Sequence, residues 1–290
     1  MNQASSPEPR NHGPLYYARR LGFALRLGTS PWRALPDFLI IGAQKAGTTF
    51  LYEYLTQHPQ ILSASRKEVR FFDLNYHAGE YWYRSHFPLR RTVSTRRRFR
   101  HKCITGESSP YYLFDPQAPR RAQVLLPQAR LIALLRDPVA RAISGYHEAV
   151  NAGHEMLPMQ EAMHTEEERI RGEAEKAASD PHYISPALRH FSYKARGIYL
   201  PQIERWHGCF SADRLLVIKS EELFDSEEDV WPRICNFLGV AEWMPPKTMR
   251  VNAKEYPPCD ETTRDELQAF FRPHNRRLFE YLGVDWDWGY

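Results

Sequence analysis

A chain of 290 residues is long enough for one large or two ordinary domains, at roughly 100–200 residues each. Hydrophobic residues make up 42% and charged residues 26%, which excludes a collagen-like, fully disordered or membrane-spanning chain. The formal charge of +4 is uneven: residues 1–36 carry Arg10, Arg19, Arg20, Arg26 and Arg33 against Glu8 alone, and the neutral remainder argues against a surface built to grip nucleic acid.

Residues 1–35 read as a basic arm, either a partly disordered leader or a docking segment. Met1–Pro14 is polar and Pro-rich, and Leu15–Leu27 is apolar but cut by Arg19, Arg20 and Arg26. No signal peptide is visible, and the stretch is too short to span a bilayer, though a basic amphipathic segment can lie on one. Order is expected from Pro36, with one domain over 36–290.

Phe38–Ile41 reads as a buried strand, Gly42–Gly47 as a loop, and Thr48–Gln57 as a helix with Thr48 as N-cap. Ile61 and Leu62 begin a second short strand. Residues 90–102 hold seven Arg or Lys and no acid, and read as a solvated loop. Ile104–Gly106 is a weak strand and Leu131–Leu135 a strong one. Arg136-Asp137-Pro138 then starts a helix to about Val150, with Asp137 as N-cap and Pro138 at the first position. Glu166–Ala178 reads as a charged, exposed helix. Tyr193–Phe210 reads as one amphipathic helix with Ile198, Ile203 and Trp206 inward. Leu215–Ile218 is a strand, Trp231–Leu238 a helix with Pro232 in its first turn, and Arg264–Leu282 a helix kinked at Pro273. Strands separated by helices predict a three-layer α/β fold around a parallel sheet, with ligand loops at the carboxyl ends of the strands. Cys103, Cys209, Cys235 and Cys259 form no C-x-x-C pair and read as reduced thiols of a cytoplasmic protein.

The most informative segment runs from Phe38 to Thr49. A strand delivers a Gly-containing loop that opens a helix, so backbone N–H groups can surround phosphate oxygens. Lys45 adds a cation, and Thr48 and Thr49 add hydroxyls. This P-loop-like segment is not a Walker A loop: Gly42 and Gly47 are correctly separated, but Thr48 stands at the lysine position and the lysine lies inside the loop. No apolar strand ends in an Asp suited to Mg²⁺, which weakens a kinase or ATPase reading. Arg136 and Ser144, at a strand end and on the following helix, form a second candidate phosphate site.

In this order, "PDFLIIGAQKAGTTFLYEYLTQHP", "KEVRFFD" and "LIALLRDPVARAISGY" resemble the sulfotransferases that use 3′-phosphoadenosine-5′-phosphosulfate (PAPS). The likeness is nearest to the heparan-sulfate and carbohydrate branch and runs from Pro36 to the C-terminus. It implies that Lys45 contacts the transferring group and the bridging oxygen. Ala46, Gly47, Thr48 and Thr49 would line the 5′-phosphate, and Arg136 and Ser144 the 3′-phosphate. Glu68 would be the general base, its basicity raised by burial beside Phe71 and Phe72. Asn252–Tyr256, with Lys254, would close over the nucleotide. Two departures stand out. Ser108 follows Glu107 where a lysine is usual, and Lys254 replaces an expected Arg. Both point away from a strongly anionic, heparan-like acceptor rather than away from PAPS.

The implied activity is sulfuryl transfer from PAPS to a hydroxyl or amine of a carbohydrate-type acceptor, with no metal and no nucleic-acid partner. Two alternatives stand beside it: the same enzyme acting on a phenol, lipid or secondary metabolite, and a nucleotide- or glycan-binding protein without turnover.

Overall fold

The structure, a computed structural model, describes residues 14–95, 103–225, 227–244 and 256–288. Lys254, residues 1–13 of the arm and residues 96–102 of the basic stretch lie outside these.

Five parallel strands make one sheet: β1 (Phe38–Gly42), β2 (Ile61–Ser63), β3 (Ile104–Ser108), β4 (Arg130–Leu135) and β5 (Leu215–Lys219), in the spatial order β2-β3-β1-β4-β5. All five residues of β1 and of β3 are buried. Successive side chains of a strand face opposite ways, so complete burial requires cover on both faces. Helices supply it, and the result is the expected three-layer fold. Phe38, Leu39, Ile40 and Ile41 of β1 and Leu131–Leu135 of β4 have no exposed surface, and each of these side chains except that of Ala133 is worth about 1.5–3 kcal/mol of burial.

The order of strands sets the place of the site. The connection from β1 crosses β3 to reach β2, and the connection from β3 crosses β1 to reach β4. They leave in opposite directions, which opens a crevice above the carboxyl ends of β1 and β3.

Several local expectations change. The helix after β1 spans Thr48–Leu55 with Gly47, not Thr48, as its N-cap. Gly47 takes φ +85 there, and a Cβ would meet Ser220 Oγ only at 3.6 Å, so the backbone angle rather than lack of room demands glycine. Gly42 is the opposite case: its Cβ would lie 2.4 Å from that of Leu113. The region read as Glu166–Ala178 is two helices, Met159–Ile170 and Glu173–Ser179, parted at Gly172 with φ +73. Glu166 is buried rather than exposed, because its carboxylate accepts from the N–H groups of Lys194 and Ala195 at 2.6 and 2.7 Å. Those bonds hold a 3-10 turn, Ala195–Gly197, that separates Tyr193 from the Leu200–His207 helix, so Tyr193–Phe210 is not one helix. The helix ending at Leu238 begins at Glu227, which puts Pro232 in its interior rather than its first turn.

Asp137 caps the Pro138–Asn151 helix as expected, accepting from Val139 and Ala140 N–H at 3.0 and 3.4 Å. That helix packs with Met159–Ile170 and Glu261–Leu282 around a second apolar cluster containing Val139, Met163, Leu267 and Phe271. Among the described residues no helix is long and apolar enough to cross a membrane. All four cysteines are unpaired.

Candidate active site

The loop after β1 carries Lys45 in a left-handed backbone conformation, φ 69. Such an angle costs a side-chain-bearing residue on the order of 1–3 kcal/mol and needs surrounding structure to hold it. Two contacts do so. Arg136 Nη1, from the end of β4, donates to the Lys45 carbonyl at 3.1 Å, and Ser220 Oγ, from the end of β5, donates to the Ala46 carbonyl at 2.8 Å. Arg136 is itself placed through its carbonyl, which accepts from Tyr199 Oη at 2.9 Å. Gln44 is bound through Oε1 by the half-buried Arg196, whose guanidinium also donates to the Leu188 and Arg189 carbonyls at 2.5 and 2.6 Å. Burial pushes Arg196 down to about 10, eased by the neighbouring Tyr111 ring at 5.1 Å. The loop is therefore rigid before any ligand arrives.

Around this loop the candidate donors differ in access. Ala46, Thr48 and Ser144 are buried, Thr49 is exposed, and Lys45 and Gly47 lie between. The Lys45 ammonium stands 3.6 Å from the Glu148 carboxylate, on the helix that carries Ser144. His147, one turn from Ser144, stacks on Tyr256 with centroids 4.7 Å apart and planes 3° apart. Burial holds His147 below its ordinary value, against the pull of the Pro257 backbone bond. Tyr256 thus lies beside the Ser144 helix.

Glu68 sits in a second left-handed position, φ 57, and Arg70 in a third, φ 56. Glu68 N–H donates to the Ser108 carbonyl at 3.0 Å. Ser108 is the register partner of Ile40, five residues before Lys45. The Lys45 and Glu68 loops therefore hang from the carboxyl ends of adjacent strands. The Glu68 carboxylate lies 3.2 Å from both Lys67 Nζ and Arg70 Nε and stays 32% exposed. The burial expected from Phe71 and Phe72 does not occur, because both rings turn into the core and pack on Tyr83 at 4.3 and 5.3 Å.

What holds the Glu68 loop is Glu107, which in the sequence is only one letter of a motif. Its fully buried carboxylate accepts from Tyr83 Oη at 2.7 Å, Tyr112 Oη at 3.0 Å, Ser109 Oγ at 2.7 Å and Val69 N–H at 3.3 Å. Ser109 Oγ also accepts from Arg70 N–H at 3.0 Å, and Tyr112 Oη from Phe71 N–H at 2.7 Å. Three consecutive loop amides are thereby tied to one carboxylate network.

Burial pushes Glu107 up to about 7, with Asp73 adding repulsion, against the lowering pull of the Tyr83, Ser109 and Tyr112 hydroxyls. An unfolded chain ionises this group near the ordinary 4.5, so between about 4.5 and about 7 the folded state keeps a proton that the unfolded state has lost. The group's contribution to stability is therefore full below about 4.5 and declines as pH rises through that window, by up to roughly 3 kcal/mol. Glu107→Gln removes this slope and leaves the Val69 amide facing an amide donor, at about 1–3 kcal/mol. Urea midpoints measured across the same pH range are expected to fall with pH more steeply in the parent than in the variant. Equal slopes would remove Glu107 as the titrating group.

Arg196, Tyr199, Ser220 and Glu107 are supporting residues to which the sequence pattern assigns no role. Ser220 had one available signal, its position just past the carboxyl end of a strong strand. Lys254 lies outside the described residues. Among the described residues no His, Cys, Asp or Glu cluster gathers in the manner of a metal site.

Residues 35–256 match the family described as Sulfotransferase domain. The bifunctional heparan sulfate N-deacetylase/N-sulfotransferase 4 of Mus musculus is 30% identical over 86% of this chain, which spans only 30% of that protein's length. The heparan sulfate glucosamine 3-O-sulfotransferase 6 of Homo sapiens is 28% identical over 91% of this chain and 77% of its own. The crystal structure of a sulfotransferase from Alicyclobacillus acidocaldarius superposes with a TM-score of 0.65 at 32% identity, covering 88% of this chain and 99% of that one.

Proposed function

The chain belongs to the sulfotransferase domain family, and from that premise we propose that it transfers a sulfuryl group from PAPS to a hydroxyl or amine of a carbohydrate-type acceptor. Glu68 is the general base and Lys45 the cation that meets the departing phosphate. The observation that carries this reading is the juxtaposition of the two loops, one tethered through the Ser108 carbonyl and the other five residues beyond the Ser108 register partner Ile40.

The donor set suits an anion with two separated phosphates. Lys45, Ala46, Gly47, Thr48 and Thr49 would hold the 5′ side with loop amides and a helix N-terminus. Arg136 and Ser144 would hold the 3′-phosphate, with Lys254 contributing from the late segment. When bound, PAPS supplies an activated sulfuryl group whose release leaves negative charge on a phosphate oxygen. The role of Lys45 is to exchange Glu148 for that oxygen. The pair is long at 3.6 Å and open to solvent on the Glu148 side, and pairs of this kind are worth about 0.2–1 kcal/mol, so the exchange is easy. Glu68 accepts the acceptor's proton as the new bond to sulfur forms. Concerted transfer is required, because an alcohol is far too weak an acid to ionise first. The rigid loops keep both groups in place without reorganisation at the moment of reaction.

A cavity of about 210 Å³ lies beyond the Glu68 segment, lined by Asp73, Leu74, Tyr76, His77, Asp115 and Arg121. Burial and the nearby Asp73 push Asp115 up to about 6. Neither acid is free for an acceptor: the Asp73 carboxylate is buried and paired with Arg189 at 2.8 Å, and Asp115 accepts from the Gln117 and Ala118 N–H groups at 2.9 Å. Both relatives named above carry heparan sulfate in their names, which supports the carbohydrate class.

Sulfur-labelled PAPS with a panel of glycans, glycolipids and phenols tests the reading. Label is expected on a glycan or glycolipid, and the desulfonated nucleotide is expected to bind more weakly to Arg136→Ala. Nucleotide binding without label transfer to any acceptor would favour a binding protein, and no nucleotide binding at all would sink the proposal.

A further inference from the structure

The Pro14–Gly28 helix uses one side to dock. Phe23 packs on Trp82 and His86 at 6.5 and 5.5 Å, and Arg26 Nη1 donates to the Ser85 carbonyl at 3.2 Å. Its other side carries Leu21 and Leu25, one turn apart and 64% and 65% exposed. Just past the helix Trp32 is 66% exposed, and Leu89, which opposes Arg33 in an isolated antiparallel bridge, is exposed too. Single exposed apolar residues are ordinary, but a large group of them at one corner marks an interaction surface.

The same corner gathers cations from two distant parts of the chain. Arg33 Nη1 donates to the Phe87 carbonyl at 2.7 Å, and Arg90 donates to the Pro31 and Arg33 carbonyls at 2.7 and 3.2 Å. Arg84 reaches the Arg33 carbonyl at 2.8 Å. These guanidinium groups are held by neutral carbonyls, and among the described residues the ion pairs of this corner include one acid, Glu80, on Arg84. Burial and the charge of Arg26 both lower Arg33, a sign of like charges crowded together. Arg90 and Arg91 stand together at the start of the Arg90–Thr95 helix.

We propose that this corner is a docking surface for an anionic lipid bilayer, with Leu21, Leu25 and Trp32 entering the headgroup–acyl boundary and the exposed Arg90 facing lipid phosphates, while the buried Arg33 and the Glu80-paired Arg84 add positive charge behind it. The charge and the apolar groups select this occupant together. A second copy would bring two cationic corners into contact, and a soluble polyanion offers no apolar medium for two leucines and a tryptophan. Tryptophan is also the side chain best suited to the membrane interface.

The test is co-sedimentation of the full chain with vesicles of phosphatidylcholine alone and of phosphatidylcholine mixed with phosphatidylserine. Binding is expected to the mixed vesicles, weaker to the neutral ones, and reduced by salt. The double variant Leu21→Asp/Leu25→Asp is expected to lower the partition coefficient about 100-fold, and Arg90→Glu by roughly 10-fold. Both leucines are exposed, so circular dichroism and affinity for the desulfonated nucleotide are expected to match the parent in the double variant. As a second measurement, brominated lipids are expected to quench tryptophan fluorescence in the parent and much less in Trp32→Phe. Four outcomes overturn the proposal: no binding to mixed vesicles, binding indifferent to the leucine variants, quenching unchanged in Trp32→Phe, or a concentration-dependent dimer or heparin complex in place of vesicle binding.

Discussion

Glu68→Gln is expected to lower kcat for sulfuryl transfer by about 10²–10⁴-fold, the range for loss of a positioned general base, with little change in affinity for the desulfonated nucleotide. The substitution keeps size and the Glu68 N–H bond to the Ser108 carbonyl. Glutamine tolerates φ 57 about as well as glutamate, so the backbone strain is unchanged. The pairs lost to Lys67 and Arg70 are partly exposed and short in sequence range, and contribute little to stability. What is removed is the capacity to take a proton. Single-turnover rates with donor and acceptor both saturating separate this from a binding defect. Parent-like turnover would show that the proton leaves by another route, and a large fall in nucleotide affinity would show that Glu68 acts on donor binding instead.

Lys45→Ala is expected to cost about 10²–10³-fold in kcat, comparable to removing one preorganised donor from an oxyanion site. Weaker nucleotide binding is expected alongside it. The alanine can keep φ 69 at similar cost, and the carbonyl that Arg136 binds remains. Glu148→Gln is the control. It removes the same 3.6 Å ion pair from the other side, and the pair is exposed enough that turnover is expected to stay near the parent. If the two variants lose activity equally, the ion pair and not the ammonium is the working element. Lys45→Arg is expected to recover only part of the loss, since a planar guanidinium spreads the charge that the ammonium concentrates.

The legibility of these two residues in the sequence differs for a physical reason. Lys45 belongs to a local pattern. The strand Phe38–Gly42, the loop and the helix at Thr48 occupy consecutive residues, and each is dictated by its own neighbours. Its phosphate-loop character is therefore readable without a fold. Glu68 sits among Arg66, Lys67 and Arg70, where nothing local distinguishes it from a solvated surface acid, and only the family resemblance singles it out. The structure agrees with the local view of its charges, since Lys67 and Arg70 do pair with it. It adds the tether to Ser108, forty residues away.

Glu107 and Glu166 show the same limit from the opposite side. Each looks like an ordinary acid in a polar stretch, yet each is buried and organises backbone amides: Val69 for Glu107, Lys194 and Ala195 for Glu166. A carboxylate becomes a structural hub only when amides from remote segments converge on it, and convergence is not a property of local sequence. Helix boundaries depart from the sequence pattern for smaller reasons. Gly172 adopts φ +73 and divides a charged segment that is continuous in composition, and Gly47 rather than Thr48 takes the capping position because its left-handed angle ends the loop.

The sequence by itself determined the elements with strong periodicity, the phosphate loop, the capped helix after Arg136 and the family to which they belong. These depend on contacts within about a dozen residues. It also showed that the net charge is concentrated in an arm. Only the tertiary structure decided the rest. Strand register, Ile40 against Ser108, brings the Glu68 loop beside the Lys45 loop. The packing of Arg33 against Leu89 and Arg90 brings the arm to the basic stretch and leaves Leu21, Leu25 and Trp32 exposed beside both. Both are pairings between residues far apart in the chain. Their partners are chosen by the hydrophobic burial of the whole sheet rather than by any one segment.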